Sequence, residues 1–235
     1  MPGTELSCSL AMKTYPVFAL IVDKPCLVVG GGAVGERKVL DLLEAGARVT
    51  VVSPEITTVL SDLAAKGKIS HLSGDFQEEQ VEGMALVIGA TDDMAVNARV
   101  SAAAQARGIW VNIVDQPDLC TFIVPAQVRR GELALAISTG GASPALARKI
   151  REELERHFGP EYGPYLALLQ AVRTRLLESR RGNPENAVLF KHLVDSPLLP
   201  ALSRGDKQEV RQILQGILGQ ILSAATIEEI LKKSS

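Results

Sequence analysis

The chain has 235 residues, 46% of them hydrophobic and 22% charged, with a formal net charge of −2. That is an ordinary globular composition, with length for one large domain or two small ones, and its slight acidity excludes global attraction to nucleic acid or to an anionic membrane. Its three cysteines, Cys8, Cys26 and Cys120, suit a reducing cytoplasm and form no disulfide frame or zinc spacing, and no run approaches the ~18 apolar residues of a membrane helix.

Residues 1–11 lack the basic and apolar regions of a signal peptide and read as an unstructured lead, with Met12 a candidate start. The first strong signal is an apolar run, Cys26 to Val29, leading into Gly30-x-Gly32-x-x-Gly35 and a helix-compatible segment from Glu36 to Glu44. Strand, glycine turn and helix follow in the order a dinucleotide-binding unit needs. Gly30 permits the tight turn, Gly32 removes a side chain where backbone approaches a pyrophosphate, and Gly35 lets the helix pack on the strand. Free N–H groups at the helix start then face the anion. Cys26, inside the strand, reads as a small hydrophobe.

A second apolar run, Val49 to Val52, is followed by Glu55, twenty positions after Gly35. A carboxylate there accepts hydrogen bonds from ribose hydroxyls and repels a 2′-phosphate, favouring NAD over NADP. The competing reading is a plain glycine turn, with Glu55 starting a helix after Pro54.

Candidate strands at 26–30, 48–53, 69–72, 85–90 and 109–114 alternate with helices at 33–45, 55–66 and 94–107. The pattern implies a mainly parallel sheet covered on both faces, with the ligand along the strand C-terminal ends. Those ends carry Gly30, Ser53-Pro54-Glu55, Gly89 to Asp93, and Asn112 to Asp115. Thr91 and Asp92 suit either cofactor contact or capping of the 94–107 helix.

After Asp115 the pattern changes. Phe122 to Arg129 and Leu133 to Ser138 read as a hairpin around Arg129-Arg130-Gly131-Glu132, a motif only marginally stable alone, for which pairing with a second copy is the economical solution. Ser143 and Pro144 then suit the N-cap and first turn of a helix from Ala145 to Phe158, stopped by Gly159-Pro160. Residues 161–235 read as helical, notably from Tyr165 onward, over Ala187 to Val194, over Val210 to Leu222 and over Thr226 to Lys233.

Taken together, these motifs resemble the precorrin-2 dehydrogenase family, the oxidising module of sirohaem synthases. The resemblance covers roughly Tyr15 to Arg180. It rests on Tyr15-Pro16-Val17-Phe18, on Gly30 to Lys38, on Glu44 to Glu55, and on Ala90-Thr91-Asp92-Asp93. It continues through Val111-Asn112-Ile113-Val114-Asp115, Phe122 to Ala126 and, most specifically, Ile137 to Arg148. The resemblance implies an α/β fold: an NAD-binding Rossmann-like domain over 1–114, a small β dimerisation region over 115–148 and a C-terminal helical domain over 149–235. It implies a homodimer that oxidises precorrin-2 to sirohydrochlorin with NAD. Cofactor contacts fall on Ala33, Val34, Pro54 and Glu55, and the family's essential aspartate falls on Asp115. A serine that some relatives phosphorylate is Thr139 here, which removes that expectation. With no methyltransferase module following, the sequence looks like the stand-alone form. Some relatives also insert iron; no metal-ligand cluster decides that here.

Removing a hydride and a proton from a reduced tetrapyrrole needs a base, and Asp115, at the end of the fifth strand, is the candidate, with partial burial tuning it. The competing reading is a turn-forming Asp before Gln116-Pro117-Asp118. The substrate's carboxylates need cations or N–H donors. Thr139, Gly140, Gly141, Ser143 and Arg148 are the candidate substrate residues, with Arg37, Arg129, Arg130 and Lys149 as further cations. Each arginine alone also reads as a solvated charge. His71, His157 and His192 are isolated and read as surface or helix-end residues. Two other readings stay open: a non-catalytic NAD(H)-sensing dimer, and an oxidoreductase for an unrelated small substrate.

Overall fold

The computed structural model describes residues 12–233; Cys8 and the expected lead over 1–11 lie outside them. The described chain forms two units, one spanning Tyr15–Val124 and the other running from Pro125 onward together with residues 12–14.

The first unit is built on five strands: β1 (Pro25–Val29), β2 (Arg48–Val52), β3 (Ile69–Leu72), β4 (Leu86–Gly89) and β5 (Trp110–Ile113). All neighbours are parallel, in the order β3-β2-β1-β4-β5. β1 is apolar throughout because both its faces are covered. Cys26 and Val28 pack with Val39 and Leu42 of α1 (Ala33–Glu44) and Leu60 of α2 (Thr58–Ala65). Leu27 and Val29 pack on the opposite layer with Val100, Ala103 and Ala104 of α3 (Met94–Ala106). The crossover from β1 to β2 and that from β4 to β5 therefore run over opposite faces. The crevice between β1 and β4 is the switch point at which such sheets bind ligands.

Sequence and structure differ most in three places here; the remaining expected strands and helices match to within one residue at each end. β1 ends at Val29: Gly30 N–H still donates to Val52 O at 2.9 Å, but its φ of 116° turns the chain out of the strand. The second helix starts at Thr58, not Glu55, because Thr57 is the cap and its hydroxyl accepts from Leu60 N–H at 3.3 Å. Residues Pro117–Leu119 form a 3-10 turn, after which the chain doubles back along β5. Thr121 N–H donates to Val111 O at 2.8 Å, and the Cys120 thiol accepts from Ile113 N–H at 3.1 Å. The exposed ladder of the edge strand is thereby satisfied.

The second unit opens with an antiparallel hairpin, β6 (Ala126–Arg130) and β7 (Leu133–Ile137), turning at Gly131 with φ 58°. β6 begins four residues later than Phe122 because Pro125 has no N–H for a ladder. α4 (Pro144–His157) packs against the hairpin, so its Val128 is buried within this chain. The Arg130 guanidinium donates to the carbonyls of Phe158 at 2.9 Å and Glu155 at 3.1 Å, closing the end of α4.

The remaining helices are α5 (Tyr162–Arg180), α6 (Glu185–Asp195), α7 (Leu198–Ser203), α8 (Lys207–Leu218) and α9 (Ala224–Lys233). They share a core that includes Leu168, Val172, Leu176, Leu193, Leu214, Leu218 and Ile227. α7 has no sequence signal: six residues containing Pro200 are too few to show a period. α8 ends at Leu218 instead of Leu222, since Gly219 follows. No described helix is long and apolar enough to cross a membrane.

Candidate functional site

The C-terminal edge of the parallel sheet collects the residues singled out above. After β1, Gly30 takes the positive φ, and a Cβ there would run into the Ala90 carbonyl. A Cβ on Gly35 would strike the Gly30 carbonyl, so this glycine sets how closely α1 sits on the strand. Gly32 differs: a Cβ there would meet nothing within 4 Å, so the space beside it is open. Gly32 is also the cap of α1 and offers no side-chain bond, leaving the first N–H groups of the helix to a ligand. Ala33 and Val34, on that first turn, are exposed. A narrow turn, an open cradle and an uncapped helix start fit a dinucleotide pyrophosphate.

Gly31 was not singled out by sequence reasoning, yet it is as constrained as its neighbours. A Cβ there would collide with the Glu55 carbonyl. Thr57 N–H donates to Gly31 O at 3.0 Å, and Ser53 Oγ donates to Glu55 O at 2.6 Å. His71, on β3, is also no free surface residue: its Nε2 donates to Ser53 O at 2.9 Å, which fixes the tautomer. This lattice presents Pro54 and Glu55 as exposed side chains one strand from the glycine turn. Glu55 is not a helix-starting residue, since α2 begins at Thr58.

On the other side of the turn, Thr91 and Asp92 do not cap α3. Asp93 does, accepting from Ala95 N–H at 2.8 Å and Val96 N–H at 3.1 Å. Asp92 is exposed and the Thr91 hydroxyl is turned inward onto Asn97.

Asp115 follows β5, two strands from β1 and so about 10 Å along the edge. Val114 N–H continues the pairing to Gly89 O at 2.9 Å, and Asp115 then adopts φ 58°. Its side chain is exposed within the chain, unlike the partial burial expected from sequence. Lys38 of α1 was missed by sequence reasoning because its neighbour is 77 positions away. Burial pushes its ammonium below the usual lysine range; Asp41 opposes this, Arg37 adds to it and Asp115 opposes it. Lys38 and Asp115 thus form part of one electrostatic neighbourhood on the glycine-loop edge.

In the second unit, Thr139 to Ser143 form a self-supporting loop. Thr139 Oγ1 accepts from Ser143 N–H and donates to Ser143 O, both at 3.1 Å. Gly140 and Gly141 have φ of 60° and 82°. Ser143 caps α4, its hydroxyl accepting from Leu146 N–H at 3.2 Å, with Pro144 in the first turn as expected. Arg148 is exposed and pairs with Glu152 at 2.9 Å. Arg130 is committed to backbone carbonyls, and Arg129 reaches Gln127 at 3.3 Å; Arg37 and Lys149 are exposed.

A cavity of about 480 Å³ opens at the opposite edge of the sheet, near Leu20, Lys24, Met84, Arg107 and Trp110. Ligands of open parallel sheets bind at the strand C-terminal ends, so this cavity is not the candidate site.

Comparison with known proteins agrees with the geometry. Residues 17–126 match a family described as putative NAD(P)-binding, and residues 130–157 match the sirohaem biosynthesis protein central region. The two regions follow one another here and together span more than half of the chain. The chain belongs to the precorrin-2 dehydrogenase (sirohaem synthase N-terminal module) family. A Siroheme synthase of Methylobacillus flagellatus is 41% identical over 207 residues, covering 88% of this chain and 44% of that protein. One from Pseudomonas paraeruginosa is 39% identical over 221 residues, covering 94% and 48%. The chain thus spans less than half the length of these relatives. Among solved structures, SirC, precorrin-2 dehydrogenase, superposes with a TM-score of 0.71 at 29% identity, covering 88% of this chain and all of that one. The Tyr15–Val124 unit is the family's NAD(P)-binding domain.

Proposed function

We propose that the protein oxidises precorrin-2 to sirohydrochlorin with NAD, in sirohaem biosynthesis. The reading is carried by one observation: a carboxylate, Asp115, ends β5 on the same sheet edge as a glycine turn in a chain of this family. NAD, when bound, supplies the hydride acceptor. This chain's residues do the rest. The open cradle at Gly32 and the first N–H groups of α1 hold the pyrophosphate. Glu55 takes the adenosine ribose hydroxyls and disfavours a 2′-phosphate. Asp115 accepts the proton that leaves as the substrate carbon loses its hydride, so one hydride and one proton depart together. The Thr139–Ser143 loop and Arg148 meet the substrate's carboxylates.

The protein acts as a homodimer joined through the β6–β7 hairpin, whose two-strand sheet has a free edge on either side among the described residues. Analytical centrifugation checks this and should give the mass of two 25.1 kDa chains.

The decisive assay is the purified protein with precorrin-2 and NAD, followed by NADH absorbance and the sirohydrochlorin spectrum. Turnover that is lost in Asp115→Asn while NAD still binds is the expected result. NAD binding with no oxidation of precorrin-2 by the unaltered protein would overturn the reading and favour an NAD(H) sensor.

A further inference from the structure

We propose that Asn97 is a positioning residue of the dinucleotide crevice, holding Thr91 so that the end of β4 meets the cofactor with main chain and not with a hydroxyl. The inference deepens the dinucleotide part of the function proposed above and rests on it.

Asn97 lies in the first turn of α3 and is only 2% exposed. A buried carboxamide must use both its ends, because an unpaired donor or acceptor away from water is costly. Asn97 uses both on one residue. Its Nδ2 donates to Thr91 O at 2.9 Å, and its Oδ1 accepts from Thr91 Oγ1 at 3.1 Å. The Thr91 hydroxyl also lies 3.0 Å from Asp93 O, so its single proton is directed inward by two acceptors. The Thr91 side chain therefore has no donor left for a ligand, whereas its N–H has no partner among the described residues.

The clasp bears on the glycine turn directly. The space denied to a Cβ on Gly30 is filled by the Ala90 carbonyl and by Thr91 N, at 3.1 Å. The Ala90–Thr91 peptide is thus one wall of the turn that receives the pyrophosphate, and Asn97 holds the Thr91 carbonyl and hydroxyl next to it. Gly89 leaves the room for this: a Cβ there would come within 3.1 Å of Asn97 Oδ1. Asp93 cannot substitute, since its carboxylate is already engaged by Ala95 and Val96.

The test is NAD affinity measured by calorimetry on the full chain, with melting temperature alongside, for Asn97→Ala, Thr91→Val and the double variant. Asn97→Ala should weaken NAD binding about tenfold, the scale of one or two lost hydrogen bonds. Thr91→Val should weaken it in the same direction. The double variant should be no weaker than Asn97→Ala, since both changes open the same clasp. A lower melting temperature with unchanged NAD affinity in Asn97→Ala would make the residue merely structural and overturn the proposal. Additive losses would mean that the Thr91 hydroxyl touches the cofactor itself, and would also overturn it. If Asn97→Ala does not fold, Thr91→Val decides alone: unchanged affinity sinks the proposal. An unaltered protein that binds no NAD removes both this inference and the reading it rests on. One that binds NAD but leaves precorrin-2 untouched removes only the proposed reaction.

Discussion

Asp115 combines the role proposed for it with an unusual backbone. Its φ of 58° is a conformation that Asp and Asn tolerate far better than residues lacking a short polar side chain. Replacement by alanine therefore changes two things, removing the carboxylate and straining the turn. Asp115→Asn separates them. It should melt near the wild-type temperature yet lose on the order of 100-fold or more in NADH production, the scale of general base catalysis. Asp115→Ala should lose the same activity and in addition about 1 kcal/mol in urea unfolding. Equal stability losses in both variants would show that the carboxylate, not the backbone, holds the turn. Glu55 makes the opposite case. Its side chain is exposed and takes no part in the surrounding lattice. Glu55→Ala should leave stability within about 0.5 kcal/mol of wild type and reduce the preference for NAD over NADP in a binding titration. Unchanged selectivity would assign discrimination elsewhere.

Among the elements, β1 ties stability to pH through Cys26. The residue is fully buried between β1 and α1, and burial pushes its thiol up to about 11 from an ordinary 9.0. A raised pKa means that the folded state holds its proton longer than the unfolded chain does. Cys26 therefore contributes stability that is intact below pH 9 and is lost as pH climbs through about 11. The span corresponds to about 3 kcal/mol, at ~1.4 kcal/mol for each decade of displaced titration. Cys26→Ala should flatten that alkaline decline in urea titrations, and a thiol reagent should leave Cys26 untouched until the unit unfolds. In the helical unit, Leu168 of α5 is 1% exposed at the centre of the core. Leu168→Ala should cost ~2–5 kcal/mol in denaturant unfolding.

Over the whole molecule, legibility follows how local each signal is. The Tyr15–Val124 unit could be read because β1 and β4 carry unbroken apolar runs and three of the four crossovers a helical stretch. The glycine turn could be read because its spacing pattern falls within six residues, even though the Ala90 carbonyl that confines Gly30 lies far along the chain. The cap of α4 could be read for the same reason: Ser143 and Pro144 act on their own helix. What escaped depends on neighbours distant in sequence. Gly31 matters because of Glu55, Lys38 because of Asp115, and His71 because of Ser53. Cys120 looked like an isolated thiol and instead completes the edge of β5. Its own thiol is pushed up by burial, an effect that the Ile113 N–H bond opposes and the charge of Asp118 reinforces. α7 was missed for a different reason, since a helix of one and a half turns is made by its surroundings more than by its propensities.

The loop that carries Glu55 holds its shape through atoms every residue at that position would possess. Ser53 bonds the carbonyl of residue 55, Gly31 rests on the same carbonyl, and Thr57 returns to Gly31. The side chain is a passenger on that frame. If Glu55 reads the ribose as proposed, a lineage can exchange it, carboxylate for a neutral or basic group, and drift from one nicotinamide currency to the other without disturbing the scaffold beneath.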